Sequence, residues 1–412
     1  MIYTKTLSQT KSNPTNVLKK AMHVASCYGF DNIDKVIVQQ KKQADYLRAK
    51  EDQSIPIKKQ RQIKQSTKTF NTDLTADEVV QALKTAVDNE LLPCKDSILL
   101  YQNNLNTSST RDKSIRFGLI AMGMKKSIAE ALIIKTAHAI LEDIGVNNAQ
   151  VYINSMGDRD SSTKFVNELN SYFRKNINSI SPQIRKSIKK DIFKAYNQLY
   201  TKYDSSTEEI PQSIKFLSDK NRRHLSEVLE YMETVGISYE MDNFLIGDNN
   251  CYSQTLFEIR HPSESTNEDT YVLARGGRYD EIVKKMFNID IPAVGIVLEF
   301  EKEGIQEKKI DTFKRIRKPK IYFIQLGGVA KKKSLPIIDT LRKYHIYTYH
   351  SLNNDKLAEQ LSFAEHLNVP YSIIMGHREA LDDTVIVRNM DTQFQHTVSI
   401  NDLPLYLKEM HL

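Results

Sequence analysis

The 412-residue chain has no apolar run near the roughly 18 residues a membrane helix requires, and none within Met1–Lys20. No membrane span or secretory leader is expected, and the expected setting is cytoplasmic. Cysteine is scarce: Cys27, Cys94 and Cys251 lie far apart and are odd in number. That excludes a disulfide framework and a CxxC zinc site, and leaves three reduced packing thiols. The ten histidines form no HExxH and no close His–Cys cluster, so no metal is expected. A GxGxxG loop is missing as well. Gly327-Gly328 follows an apolar run but lacks that spacing, which argues against dinucleotide binding.

What is present is a lean globular composition, 40% hydrophobic and 26% charged, long enough for two or three domains. The formal charge of +7 permits a polyanionic partner without requiring one. It is unevenly placed. Lys58–Lys68 holds five bases and no acid, Lys164–Lys202 nine bases and two acids, and Lys302–Lys320 eight bases and three acids. Tyr172, Phe173, Tyr196, Tyr200 and Tyr203 interleave with the middle segment. Bases mixed with aromatics suit an RNA backbone and exposed nucleobases. Lys58, Lys59, Arg61, Arg185, Lys186, Lys189 and Lys190 are the RNA-binding candidates.

Periodicity organises the rest. A helix is expected over Asn16–Tyr28 with Gly29 ending it, then a β-prone run at Ile33–Val38, then a polar loop or arm from Gln39 to Thr69. A helix over Thr75–Asn89 would be capped by Thr75 with Glu78. A second helix spans Lys125–Ile144, and Val151–Asn154 is a strand. Asp158–Gly236 reads as an inserted helical subdomain broken at Pro182 and Pro211. Strands return at Ser253–Ile259, Tyr271–Ala274 and Pro292–Phe300, with a tight turn at Gly276-Gly277 and a helix from Asp280. After a basic linker, strands alternate with helices, as in a separate α/β domain.

Several segments carry a resemblance. Arg275–Asp280 reads RGGRYD. Tyr28-Gly29-Phe30 follows the first helix, Phe117-Gly118 precedes the long one, and Ile153–Asp158 reads INSMGD. Leu256-Phe257-Glu258, Lys356–Ala364 and Met375–Met390 complete the set. In this order they resemble the histidyl-tRNA synthetases, a class II aminoacyl-tRNA synthetase family. The resemblance implies a mixed α/β protein. Residues 1–312 would form an α+β catalytic-like domain, an antiparallel sheet with helices and a helical insertion at about 158–236. Residues 313–319 would be a linker, and 320–412 an α/β anticodon-binding-type domain with a mixed sheet. It further implies tRNA or another RNA as partner, and a possible homodimer paired through the segment around Tyr28–Phe30, where the family's proline is Val36.

Joining an amino acid to the α-phosphate of ATP builds negative charge that fixed arginines stabilise best. The positions that would supply them are altered. No arginine lies between Leu91 and Thr110, the family's glutamine is Arg116, and the acid four residues on is Ile120. The family's RPEGT glutamate is at best Asp73 and its arginine Asn71. Gly247, Asn250 and Cys251 replace an arginine, an aspartate and a tyrosine, and Glu299 and Lys302 replace a glycine and an arginine. The expectation is a relict pocket of Arg116, Tyr252, Arg278, Tyr279 and Lys302, without confident catalytic residues, and with ATP and Mg²⁺ needed only if the protein is active. The first expectation is thus a catalytically inactive synthetase-like protein with an RNA-binding or regulatory role. The second is a divergent active histidine–tRNA ligase using ATP, histidine and tRNA-His. The third is a regulatory subunit like that of ATP phosphoribosyltransferase.

Overall fold

The computed structural model describes residues 14–40, 74–91, 97–103, 114–200, 210–247, 252–261, 271–301 and 319–410. Lys58, Lys59, Arg61 and Lys302, the expected arm at 41–69, and residues 313–318 of the expected linker lie outside them.

The first part of the chain contains α1 (Pro14–Cys27), β1 (Asp31–Asn32), α2 (33–40), α3 (Leu74–Asp88), β2 (Ile98–Asn103), β3 (Ser114–Met122), α4 (Ile128–Asp143) and β4 (Gln150–Gly157). Then come the inserted helices α5 (Arg159–Lys175), α6 (Pro182–Ile188), α7 (Ile192–Tyr200) and α8 (Asp219–Thr234). The sheet resumes with β5 (Tyr239–Met241), β6 (Ser253–His261), β7 (Tyr271–Arg278), α9 (Asp280–Phe287) and β8 (Ala293–Glu301). Its eight strands run in the order β1-β2-β3-β8-β7-β6-β4-β5. The inner pairs are antiparallel and the two short outer pairs parallel.

Three local expectations change. Residues 33–40 are helical rather than extended: the Asn32 side chain accepts the Lys35 N–H at 3.1 Å, and Ile33 and Ile37 are buried one turn apart. α3 is already helical at Leu74, so Thr75 lies inside it and not at its cap. Gly276-Gly277 is no turn but the interior of β7. A Cβ at Gly276 would sit 2.2 Å from the Gly295 carbonyl oxygen, so the glycine lets two strands and the Phe257 ring close up.

α4 is buried on nearly every side, 13 of its 16 residues, and carries one face of the sheet. Phe117, Leu119, Phe257, Ile296 and Leu298 point into that layer. The opposite face (Leu100, Ile120, Leu256 and Val297) is covered by α3, α9 and the insertion.

The second part holds β9 (Ile321–Gln325), α10 (Gly327–Lys343), β10 (Thr348–His350), α11 (Leu357–His366), β11 (Tyr371–Met375), α12 (His377–Leu381), β12 (Thr384–Asn389), β13 (Gln395–Ser399) and α13 (Leu403–Glu409). Its sheet order is β10-β9-β11-β12-β13, parallel over the first three strands and antiparallel over the last two pairs. The fold is therefore mixed α/β throughout, as the strand–helix alternation anticipated.

The two parts share one apolar core, which runs from Leu18 and Ile133 to Phe323 and Leu341. Polar contacts seal the seam. Asp339 binds Tyr28 and Lys135, Arg342 grips Asp143 through both carboxylate oxygens at 2.9 and 3.0 Å, and Tyr347 meets His23. Among the described residues no helix is long and apolar enough to cross a membrane.

Candidate active site

The face of the eight-stranded sheet turned away from α4 carries the altered positions Arg116 and Glu299; Asn71, Asp73, Asn250, Cys251 and Lys302 lie outside the described residues. Strand alternation puts Gln102, Arg116, Gly118, Glu299 and Gly295 on it, beneath α3. Arg116 and Glu299 are direct cross-strand partners of β3 and β8. The Arg116 guanidinium lies 3.0 Å from Glu78 of α3 and 3.5 Å from Glu299, with all three side chains less than a quarter exposed. One arginine is thus shared by two carboxylates. The cavity left between α3 and the sheet is about 10 Å³, lined by Glu78, Val79, Ala82, Gln102, Gly118 and Ile120, room for about one water molecule.

Further along this face a second charged group forms. Glu258, 1% exposed, accepts from Arg260 Nε at 2.7 Å and Arg275 Nε at 2.6 Å. Arg260 also binds Asp242 at 2.8 Å and lies 4.2 Å above the Tyr152 ring. Burial lowers the Arg260 pKa, but the Glu258 and Asp242 carboxylates outweigh it and leave the guanidinium above its ordinary value.

Tyr252 and Tyr279 lie side by side. Tyr252 packs against Tyr279 with centroids 5.1 Å apart. Its ring lies where side chains at Gly247 and Gly277 would otherwise reach, since Cβ atoms there would fall 2.0 and 2.5 Å from it. Arg278 is placed elsewhere. Strand alternation puts it on the α4 face, where its Nε and Nη2 reach the two oxygens of Glu130 at 2.8 and 2.7 Å and Nη1 reaches the Met124 carbonyl at 3.1 Å. His224 and Thr255 also contact Glu130, at 2.8 and 2.9 Å. Burial raises the Glu130 carboxyl, but Arg278 and His224 outweigh it and bring it down to about 2. This pair holds α4, β6, β7 and α8 together.

Sequence reasoning passed over Glu130, Glu258, Arg260 and Arg275. Glu130 had a visible signal, a lone acid among the apolar residues Ile128–Ile134. Of the RNA candidates, Arg185 spends its guanidinium on the carbonyls of Ile180 and Asn178, at 2.8 and 3.2 Å. Lys186, Lys189 and Lys190 are exposed, as is Lys194, and none has a carboxylate partner among the described residues. No group of three His, Cys, Asp or Glu is placed to hold a metal ion among the described residues.

Residues 320–410 match the family model described as anticodon binding domain. The histidine–tRNA ligase of Lysinibacillus sphaericus is 25% identical over 302 residues, covering 72% of this chain and 70% of that protein. That of Fervidobacterium nodosum is 26% identical over 308 residues, with the same two coverages. The structure of apo S. aureus histidyl-tRNA synthetase aligns with 79% of this chain and 80% of its own at 20% identity and a TM-score of 0.42. The chain is a distant homologue of the histidine–tRNA ligases and carries an anticodon-binding domain at its C-terminal end.

Proposed function

We propose that the chain is a histidyl-tRNA synthetase-like protein that binds tRNA or another RNA in the cytoplasm and does not activate histidine. Residues 1–312 would be the synthetase-like part with its insertion at about 158–236, 313–319 the linker and 320–412 the RNA-binding domain. The observation that carries the reading is the Arg116–Glu78–Glu299 cluster. Adenylate formation needs cations left free to meet developing phosphate charge. Here the described arginines of this face, Arg116, Arg260 and Arg275, are each neutralised by a carboxylate. ATP with Mg²⁺ does not fit the described residues: their arginines are taken, and among them no group of three acids, histidines or cysteines stands ready for the metal. The exposed lysines of α6 and the following turn supply positive charge for an RNA backbone.

A divergent active ligase is the second reading, favoured by the activity named for both sequence relatives. One pair of measurements separates the two. Histidine-dependent ATP–pyrophosphate exchange should be absent, while tRNA should shift the protein's band on a native gel at low salt. Clear exchange activity would overturn the first reading, and absence of any RNA shift would remove RNA binding.

A further inference from the structure

Histidine gathers where the two parts of the chain meet. Of the ten in the sequence, four lie on the seam, from both sides of it. His23 of α1 meets the Tyr347 hydroxyl at 2.9 Å, its ring edge-on to the tyrosine at 5.2 Å, and His345, in the turn after α10, acts on it as well. His138 of α4 lies 3.5 Å from Glu142 and close enough to Asp339 to feel its charge. The His350 ring of β10 sits 3.3 Å from the position a Cβ would take at Gly29, with both nitrogens shielded from water. The fixed charges around these rings have no carboxylate to spare for a proton. Lys20, Lys135, Arg342 and Lys343 stand against Glu142, Asp143 and Asp339, four cations to three anions. His350 meets the Tyr28 backbone and no charged group among the described residues.

We propose that the seam is a proton-sensitive joint: protonation of His23, His138 and His350 releases the anticodon-binding domain from the first part of the chain while both sheets stay folded. Burial lowers the pKa of all three rings. Asp143 opposes it at His23, where His345 and Arg342 add to it. Glu142 and Asp339 oppose it at His138, where Lys135 adds to it. Below about pH 6.5 an opened seam therefore takes up protons that the closed one excludes. Opening gains up to about tenfold per pH unit for each such histidine, and the closed form is complete at neutral pH. The effect falls on the joint because of where the rings are. His23 and His138 are on helices that face the second part, and His350 is on the edge strand β10, so none sits in the interior of either sheet.

Cys27 reports on the joint directly. It ends α1 within the seam, 3% exposed, its Sγ donating to the His23 carbonyl at 3.1 Å and lying in the field of Arg342 and Asp143. Cys94 and Cys251, outside the described residues, are replaced by serine in the full chain. Labelling of Cys27 by a pyridyl disulfide is followed from about pH 7.5 to about pH 5, and each rate is divided by that of the urea-unfolded chain at the same pH, which removes the titration of the thiol itself. The relative rate should rise at least about tenfold toward acid, with far-UV circular dichroism unchanged. His23→Gln/His138→Gln/His350→Leu should hold it flat, and His23→Gln/His138→Gln, which spares the His350 ring, should remove part of the rise. A relative rate independent of pH overturns the proposal. So does a rise that comes only with loss of ellipticity, which is global unfolding, and so does a rise unchanged in both variants, which assigns it to other groups. None of these outcomes depends on RNA binding.

Discussion

The Tyr28 hydroxyl donates a 2.7 Å hydrogen bond to Asp339, 311 residues away, and so ties the end of the first helix to the anticodon-binding domain. Lys135 at 3.0 Å, Arg342 at 3.1 Å and Lys343 at 3.2 Å complete the shell around that carboxylate. Burial raises the Asp339 carboxyl, but Lys135 and the Tyr28 hydrogen bond outweigh it, so it stays ionised far below its ordinary range. Asp339 is the hub of the seam, and its partners are not equivalent.

Asp339→Ala strands Lys135 at a buried seam, while Arg342 keeps Asp143, and should cost about 3–5 kcal/mol. Tyr28→Phe removes one donor from a carboxylate that keeps its cations, and should cost about 1 kcal/mol. Urea unfolding followed by circular dichroism and by tyrosine fluorescence gives both values. Because the core is continuous across the seam, the two probes should give coincident transitions in the wild type.

Acid should weaken the same seam from a second side. Burial lowers the His350 pKa from 6.5 to about 4, with a smaller opposing contribution from the Tyr28 backbone. Between those values the unfolded chain holds more protons than the folded one. This residue's contribution is complete above about pH 6.5 and is lost as pH falls toward 4, at no more than about 1.4 kcal/mol per pH unit. His350→Leu should flatten that part of a stability–pH profile, while the Asp339 contribution persists until the pH falls below the ordinary aspartate range.

Two glycines of the eight-stranded sheet, one on β7 and one on β3, should answer alanine differently. Gly276→Ala drives a Cβ to 2.2 Å from the Gly295 carbonyl and 2.8 Å from the Ile296 Cα, both backbone, and should cost about 1–3 kcal/mol or more. Gly118→Ala finds nothing nearer than the Gln102 carbonyl at 3.9 Å and should change stability by no more than about 0.5 kcal/mol. Thermal unfolding of the two variants side by side checks the contrast.

Legibility followed the range of the interactions. α4 and the strand–helix alternation of the second part were readable because apolar spacing is local. α2 was misread because Ile33–Val38 is rich in β-branched residues, while the cap that decides it comes from Asn32. β7 was cut short because two glycines resemble a turn, although what requires them is the Gly295 backbone on the next strand for Gly276, and the Tyr252 ring and Thr255 carbonyl for Gly277. At the site, substitutions such as Arg116 and Glu299 were visible singly. Their pairing with each other and with Glu78 depends on strand register and on where α3 lands, and neither can be read from spacing. Arg278 likewise gave no sign that Glu130 of α4 would be its partner.

The lysines offer a test of RNA binding with an internal control. Lys331, Lys332 and Lys333 are three consecutive bases on α10, yet each is committed: Lys331 to Asp355 at 2.5 Å, Lys332 to Glu230, and Lys333 to Asp383 at 2.5 Å. Lys186, Lys189 and Lys190 are exposed without such partners. A cation contributes to counterion release only if it meets a phosphate, so the two sets should separate in salt titrations. Lys186→Ala/Lys189→Ala/Lys190→Ala should reduce the slope of log K against log salt by about 2–3 if all three reach the backbone. Lys332→Ala/Lys333→Ala should leave that slope within about half a unit and appear instead as a small loss of stability, since exposed ion pairs contribute no more than about 1 kcal/mol each. Filter binding of tRNA-His across a salt series reads both. Equal slopes for the α6 variant and wild type would place the RNA on another face of the molecule.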